Sequence, residues 1–302
     1  MKKILKWIGI ILGVLIVLVV ILVGALHFTG RSRLAKAPEV AVKMIDIPSD
    51  DAALARGEHL ANVVSLCSDC HKAGLRGDIF MNEAPIGLIV APNLTSGKGG
   101  IGGSMTDEDW IRAIRHGVGH DGRTLGVMPS NAFAHMSDED LGTLIAYIKT
   151  VSPVDNELPQ RDIMFPGTLI FGVLGYGDLP VSKINHNAVA SINAPSQGIT
   201  AEYGAYLTEI ASCTECHGAK LAGLTDENGP PPGPNLTPGG ELAHWSQENF
   251  INTIRTGMTP KGENLNPEEM PWPWFANMTD EELQAVWLRL QSLEPRSLGD
   301  TR

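Results

Sequence analysis

Residues 7–28 form an uninterrupted apolar run without a charged side chain near the start of this 302-residue chain. As an α-helix, these 22 residues span about 33 Å, which matches the ~30 Å hydrocarbon core of a bilayer. The run is longer than the apolar region of about 7–15 residues found in a cleaved signal peptide. The pattern therefore predicts a transmembrane anchor over residues 7–28.

The charges before this run predict its orientation. Lys2, Lys3 and Lys6 lie in the short tail of residues 1–6, and basic flanks tend to stay on the cytoplasmic side. We therefore expect a single-pass protein of the cytoplasmic (inner) membrane. Residues 29–48 are predicted to be a linker, and everything after them is expected to face the periplasm or exterior.

Apolar residues downstream recur with the i, i+3, i+4, i+7 spacing of one helical face. The same pattern occurs twice, and each copy follows a Ser or Thr with an acidic residue three positions later, as at Ser137 and Thr279. Further helices are predicted after Thr106 and Ser246 and over residues 49–64 and 201–210. No segment shows a sustained strand pattern, so the predicted fold class is all-α. The two apolar faces are Leu141, Leu144, Ile145, Ile148 and Leu283, Val286, Trp287, Leu290.

An internal repeat organises the chain. Four segments of the first half recur in the second half at offsets of 140 or 142 residues, which indicates a duplicated unit of about 100 residues. We predict domain 1 over residues 49–150, an inter-domain linker over 151–197, domain 2 over 198–295 and a tail over 296–302. The recurring segments are 91–95 and 233–237, 109–117 and 249–257, 128–129 and 270–271, and 136–141 and 278–283.

The linker contains an apolar stretch, residues 164–176, that is too short to span a bilayer. Two interpretations stay open for it. It packs against one or both domains, or it touches the membrane surface or a partner subunit.

All four cysteines lie in two pentads of the form Cys-x-x-Cys-His, which is the attachment motif of c-type haem. Zinc ribbons place their two cysteine pairs about 15–20 residues apart, and thioredoxin-type sites need a βαβ context; neither pattern fits this chain. The motif therefore predicts two covalently attached haem c groups. The residues concerned are Cys67, Cys70 and the iron ligand His71, and Cys213, Cys216 and the iron ligand His217.

A second axial ligand is needed at each iron, and a methionine thioether raises the potential. Met128 and Met270 lie in Pro-containing loops at equivalent places of the repeat, and we predict these two as distal ligands. Met136 and Met278 directly precede helix caps and are expected to pack as hydrophobic staples. Bis-histidine ligation and an open distal site stay as alternatives. The histidines available for that ligation are His116, His120, His135 and His244.

Two further pairs of repeat-equivalent residues are candidates for holding the haems. The carbonyls of Pro92 and Pro234 are expected to accept a hydrogen bond from the iron-binding histidines. Arg115 and Arg255 are expected to pair with haem propionates.

The formal net charge is −11, and without the three tail lysines the exported part has 20 basic against 34 acidic residues. Such a surface repels nucleic acid and favours a partner with a basic docking patch. Simple solubility explains the charge equally well.

Together, the pentads, the Pro-Asn-Leu segments, the Met-Pro loops and the closing helices resemble class I c-type cytochromes, in which they follow in this order. Residues 49–295 resemble the cytochrome c subunits of periplasmic alcohol and gluconate dehydrogenases. The resemblance implies two tandem cytochrome c domains, with the cysteines, His71, His217, Met128, Met270, Pro92 and Pro234 in the roles given above. Those subunits typically carry three pentads and this chain has two.

The leading expectation is a membrane-anchored di-haem electron carrier without a catalytic residue. Its donor is expected to be a dehydrogenase or a quinol-oxidising complex, and its acceptor a terminal oxidase or a soluble cytochrome. One alternative is a di-haem enzyme such as a cytochrome c peroxidase-like protein, which needs an iron with an open or labile distal site. Another is a fixed subunit of a respiratory oxidase complex, which the Pro-Asn-Leu-Thr segments fit less well.

Overall fold

A computed structural model describes residues 2–188, 192–225 and 232–300. Small parts of the predicted tails, linker and domain 2 lie outside these residues. The described chain is mostly helical, with one long apolar helix followed by two helical domains, which confirms the predicted fold class. The elements through domain 1 are α1 Lys2–Ala35, α2 Asp51–His59, α3 Cys67–His71, β1 Asp78–Glu83, β2 Gly87–Ala91, α4 Asp107–His116, α5 Ser130–Phe133 and α6 Asp138–Thr150.

The linker and domain 2 add short helices and a second copy of the domain 1 arrangement. Their elements are β3 Asp162–Ile163, α7 Gly167–Leu169, α8 Pro180–Lys183, α9 Ala201–Ile210, α10 Cys213–His217, α11 Gln247–Thr256, α12 Trp272–Phe275 and α13 Asp280–Gln291. Single π-helical turns follow α2 and α7, at Leu60–Val64 and Ile170–Leu174.

The strands β1, β2 and β3 form a small antiparallel sheet that the sequence pattern did not predict. The strand β3 comes from the linker and pairs Ile163 with Gly87 and Asp162 with Leu88. These partners are more than 70 residues apart in the chain, so a local period-2 pattern cannot show the pairing. The expectation that domain 1 contains no strand was therefore wrong at this place.

In each domain the first helix crosses the last at very short range, α2 on α6 and α9 on α13. A Cβ on Gly57 would lie 2.0 Å from the carbonyl oxygen of Thr143, and one on Gly204 would lie 2.0 Å from that of Ala285. Only glycine permits this approach. The same crossing in both copies supports the internal repeat structurally.

Helix caps follow the predicted pattern with one difference. Thr106, Ser246 and Thr279 form complete capping boxes before α4, α11 and α13. Ser137 caps α6 with its hydroxyl, but the carboxylate of Asp140 does not return to the backbone of Ser137. That carboxylate is engaged in the contact between the domains instead.

A buried polar cluster joins the two domains. The guanidinium of Arg56 donates from Nε and Nη2 to the two carboxylate oxygens of Asp140, at 2.9 Å each, and lies 3.4 Å from Glu282 of domain 2. The hydroxyl of Tyr206 in domain 2 donates to Asp140 over 2.7 Å. His59 Nε2 lies 2.8 Å from Glu282. One apolar core continues through both domains around this cluster.

The helix α1 extends past the predicted anchor and includes the first part of the predicted linker of residues 29–48. It is long and apolar enough to cross a membrane, and it fits a membrane anchor and also a signal sequence. Its last turns pack on the inter-domain linker: a Cβ on Gly30 would lie 2.0 Å from Thr168 O, and His27 Nδ1 lies 2.7 Å from Thr168 Oγ1. The described linker therefore packs on α1 and on domain 1.

Candidate haem centres

Each pentad begins after a residue in the left-handed region, Leu66 at φ 52° and Ser212 at φ 60°, and then forms a one-turn helix. The turn places the two cysteines of each pair one helical turn apart on the same side. Burial raises the pKa of Cys67 and of Cys213 to about 12. Burial thus disfavours the thiolate forms that make redox-active cysteines reactive.

The histidine of each pentad, the predicted iron ligand, lies beside the carbonyl of a proline. His71 Nδ1 lies 2.8 Å from Pro92 O, and His217 Nδ1 lies 2.8 Å from Pro234 O. Because a carbonyl only accepts, Nδ1 carries the proton and the Nε2 lone pair is left for a metal. Burial lowers the pKa of both histidines, and the carbonyl bond opposes this only in part, so both rings are held neutral.

The asparagine after each proline explains why the segment recurs. Asn93 Nδ2 donates over 2.7 Å to Val154 O, just after α6, while Asn93 Oδ1 accepts from Thr95 N. Asn235 makes the same bond to Arg296 O after α13, also at 2.7 Å. The asparagine ties the proline carbonyl to the chain that leaves the closing helix.

In domain 1 these residues surround a mostly apolar cavity of about 290 Å³. The residues Cys67, Cys70, His71, Pro92 and Met128 all line this cavity. This set fits a haem held by two thioethers and two axial ligands. Met136, the methionine expected to pack as a hydrophobic staple, does not line this cavity and is fully buried in the core. Walls also come from outside domain 1, namely from Leu34 of α1 and from Ile163, Phe171 and Leu179 of the linker.

In domain 2 the equivalent loop has the same backbone path. Trp272 N donates to Met270 O, as Ser130 N donates to Met128 O in domain 1. The prolines between them, Pro129 and Pro271, have nearly equal backbone dihedral angles. Gly233 leaves room beside the pentad, since a Cβ there would lie 2.6 Å from His217 Nδ1. These residues therefore fit a second haem, with Met270 as the repeat-equivalent of Met128.

The alternative histidines of domain 1 are separated by the fold. His120 lines the cavity, whereas His116 is buried outside it with Nδ1 3.1 Å from Nδ1 of His186. Burial, His186 and Arg115 lower the pKa of His116 to about 4. His135 is exposed. His120 is thus the one histidine of this set that shares the cavity with Met128.

Arg115 and Arg255, the expected partners of the haem propionates, make hydrogen bonds within the protein at the start of the closing helices. Arg115 does not line the cavity; it donates to Asp138 Oδ1 over 2.7 Å and to Met136 O over 2.8 Å. Arg255 donates to Met278 O and to Asp280 Oδ1 over 2.6 Å each. Both guanidinium groups hold the start of the closing helix, which places the methionine loop before it.

Three side chains on the cavity wall were missed by sequence reasoning: Trp110, Arg123 and Arg161. Arg123 differs from its counterpart in domain 2, Glu263, so the comparison of the repeats passed over it. Arg161 belongs to the linker. The repeat marks the residues that both copies share, so it singles out neither Arg123, which has an acidic counterpart, nor Arg161, which lies outside the two copies.

The two pentads do not converge on one tetrahedral site. Among residues 2–188, 192–225 and 232–300 there is no group of three or more His, Cys, Asp and Glu side chains that could hold a metal ion. This donor set fits two separate haem sites better than a zinc ribbon.

The two candidate sites adjoin each other. The wall of the domain 1 cavity includes Ala211 and Ser212 of domain 2, directly before Cys213. Beside this contact, Asn131 Nδ2 donates to Glu215 Oε1 inside the second pentad.

Comparison with known proteins gives a consistent picture. The family model "Cytochrome C oxidase, cbb3-type, subunit III" matches residues 52–148 and again residues 200–288. The chain is 30% identical to the fructose dehydrogenase cytochrome subunit of Gluconobacter japonicus, over 81% of this chain and 53% of that protein. It is 28% identical to the cytochrome c subunit of the quinone alcohol dehydrogenase of Gluconobacter oxydans, over 70% of this chain and 45% of that protein.

A third relative is the di-haem c-type cytochrome of Cereibacter sphaeroides, which is 29% identical over 58% of this chain and 60% of that protein. The chain spans about half the length of the two dehydrogenase cytochrome subunits.

Proposed function

The chain belongs to the cytochrome c family, through two copies of the domain found in subunit III of cbb3-type oxidase, and from this premise we propose that it is a membrane-anchored di-haem electron carrier. Cys67 and Cys70 hold one haem c, and Cys213 and Cys216 hold the other. His71 with Met128 and His217 with Met270 are the proposed axial pairs. A bound haem c supplies reversible one-electron transfer at its iron.

The observation that carries this proposal is the shared wall between the sites. Ser212, which lines the domain 1 cavity, is bonded to Cys213, the first attachment residue of domain 2. The shared apolar core and the polar cluster around Arg56 keep the two domains in this arrangement. The protein therefore holds two redox groups at close range.

The protein's own residues prepare each site for this task. The carbonyl of Pro92 or Pro234 keeps the histidine ring in the tautomer that binds iron, and the apolar wall excludes water. A methionine in a fixed loop closes the other face. Closed sites of this kind favour relaying electrons over binding a substrate at iron.

Support for an uncleaved anchor comes from the outer end of α1. Gly30 and Leu34 are buried, and Gly30 touches the linker helix at Gly172, where an added Cβ would lie 2.4 Å from Gly30 Cα. Exposed Phe165 and Leu174 lie in the same linker segment, so this segment fits contact with the outer membrane surface.

A spin label on L174C in lipid nanodiscs tests this membrane contact. We expect the label to be more accessible to dissolved oxygen than to a water-soluble nickel chelate. A label on L298C, a similarly exposed leucine of the C-terminal tail, is expected to show the reverse. Equal accessibility of the two labels would remove the surface contact from the proposal.

The proposed donor is a dehydrogenase, because the relatives are named as cytochrome subunits of dehydrogenases. A quinol-oxidising complex stays as an alternative donor. The proposed acceptor is a terminal oxidase or a soluble cytochrome, and the acidic surface favours a basic docking patch on it.

The name of the matching domain also favours a second arrangement, a fixed subunit of a respiratory oxidase complex. Extraction of membranes with a mild detergent separates the two. A monodisperse solitary cytochrome supports the carrier, whereas stable co-purification with oxidase subunits supports the fixed subunit.

Flash photoreduction tests the relay itself. The full-length protein in detergent is reduced substoichiometrically with a photoexcited ruthenium complex, and both haems are followed by absorbance. We expect redistribution of the electron between the haems at a rate independent of protein concentration. Redistribution that slows on dilution contradicts an intramolecular relay, and rapid peroxide turnover points to the peroxidase-like alternative.

A further inference from the structure

Two side chains on the wall of the domain 1 cavity have buried N–H groups without an acceptor. Trp110 is 3% exposed, and its indole Nε1 has no hydrogen-bond partner among the described residues. Nε of Arg123 is likewise buried and unpartnered within that part of the chain. Because a buried donor without an acceptor is costly, these two groups call for an acceptor inside the cavity.

The charges around them specify that acceptor as an anion. Arg161 lines the same cavity, half-buried, and donates to Thr124 O over 2.8 Å. Burial first, and then the nearby charge of Arg123, lower the pKa of Arg161. Asp121 lies 3.5 Å from Nη1 of Arg123 and offsets this repulsion only in part. A carboxylate is the group that pairs best with guanidinium donors, and haem carries two carboxylates.

Domain 2 has the same backbone at these places and different side chains. Gly119 N donates to Arg123 O over 2.9 Å, and Thr259 N donates to Glu263 O over 2.9 Å in the equivalent loop. Glu263 therefore stands where domain 1 has Arg123. Phe250 stands where domain 1 has Trp110, since each is the fourth residue after the cap of its helix.

We propose that Trp110, Arg123 and Arg161 bind the haem carboxylates of domain 1, and that this site gives the domain 1 haem the higher midpoint potential. The inference rests on the proposed function. Reduction adds one negative charge, which neighbouring cations stabilise and a carboxylate such as Glu263 opposes. One electron then passes from ferrous iron in domain 2 to ferric iron in domain 1, leaving ferric and ferrous iron respectively.

The direction of this transfer matters because domain 1 adjoins α1. Leu34 at the end of α1 lines the domain 1 cavity. Electrons that enter at domain 2 are therefore transferred to the domain 1 haem, which lies next to the proposed anchor.

Spectroelectrochemical titration of the full-length protein tests the proposal with a matched pair of variants. R123Q is expected to lower the higher midpoint and to leave the lower one in place. E263Q is expected to raise the lower midpoint and to leave the higher one. The R123Q/M128H double variant identifies the domain 1 haem, because M128H lowers the potential of that haem alone. Unchanged midpoints in R123Q, or a shift of the lower one only, overturn the proposal.

Two further variants, R123K and W110F, test the proposal if R123Q fails to fold or to attach its haems. R123K retains the charge and is expected to keep the higher midpoint near its original value. W110F is expected to shift the propionate bending band in the resonance Raman spectrum; an unchanged band overturns the contact with Trp110. Haem content is measured first. A chain without two c haems contradicts the proposed function, whereas two haems with unmoved midpoints overturn only this inference.

Discussion

Domain 1 and domain 2 hold the proposed iron ligands in the same backbone geometry and differ in the side chains around them. Both orient the histidine with a proline carbonyl at 2.8 Å and tie that segment to the closing helix through an asparagine. The domain 1 cavity has walls from α1 and from the linker, and Arg123 on its wall has Glu263 as its counterpart in domain 2. The repeat thus preserves the proposed metal ligands, while the side chains around them differ between the domains.

Removing the haem from one domain at a time is expected to have the largest effect on the difference between the two domains. C67A/C70A and C213A/C216A are each expected to halve the haem content and to abolish the cooperative thermal transition of the affected domain, because the cavity loses its apolar filling. C67A/C70A is expected to disturb more of the chain, since α1 and the linker also line that cavity. Pyridine haemochrome spectra and calorimetry measure both effects. A haem-free domain with a native transition contradicts this.

Replacing the distal ligand tests whether the two iron sites match. M128H and M270H are each expected to remove half of the methionine-to-iron charge-transfer band and to lower one midpoint, by a fraction of the ~0.8 V that axial ligands span. M136L is the control, because Met136 is fully buried in the core. It is expected to leave spectra and potentials unchanged; loss of the band in M136L would reassign the ligand.

The contact between the domains is the next target. R56M removes the guanidinium that pairs with the buried carboxylate of Asp140, whereas Glu282 keeps its contact with His59. Breaking a buried pair of this kind costs about 3–5 kcal/mol. Lys98 and Glu157 form an exposed pair, so K98M is expected to cost no more than about 1 kcal/mol. Denaturant unfolding monitored at the haem bands measures both. Equal costs would show that the cluster does not stabilise the interface.

The smallest expected effect is a pH dependence of the stability that the contact between the domains provides. Burial alone raises the pKa of Glu282, but His59, Thr279 and Arg56 outweigh it, and the pKa lies below the ordinary 4.5. Its stabilisation is therefore complete above pH 4.5 and is lost as the pH falls through the lower pKa of the folded protein. E282Q is expected to flatten this part of the stability curve. An equally steep curve in E282Q would assign the acid sensitivity to another group.

Much of this architecture could be predicted from the chain because the repeat shows every shared position twice. The pentads, the proline segments, the methionine loops and the capped helices all follow from local patterns. The predictions failed where contacts between residues far apart in the chain determine the local structure. β3 pairs with β2 across the whole of domain 1, and Tyr206 of domain 2 engages Asp140 so that the capping box at Ser137 stays incomplete.

The arginines show what a repeat can and cannot reveal. Arg115 and Arg255 are shared by both copies, so the repeat favours them as propionate partners. Their role in the structure is to hold the start of α6 and α13. Of the cations on the cavity wall, Arg123 has an acidic counterpart in domain 2, and Arg161 lies in the linker outside the repeat.

A redox titration followed by optical and EPR spectra tests the central claim most directly. We predict two low-spin c haems per chain, each with a methionine-to-iron charge-transfer band and each with its own midpoint potential. A high-spin haem at rest, or a single haem per chain, would contradict a protein built to relay electrons between two closed sites.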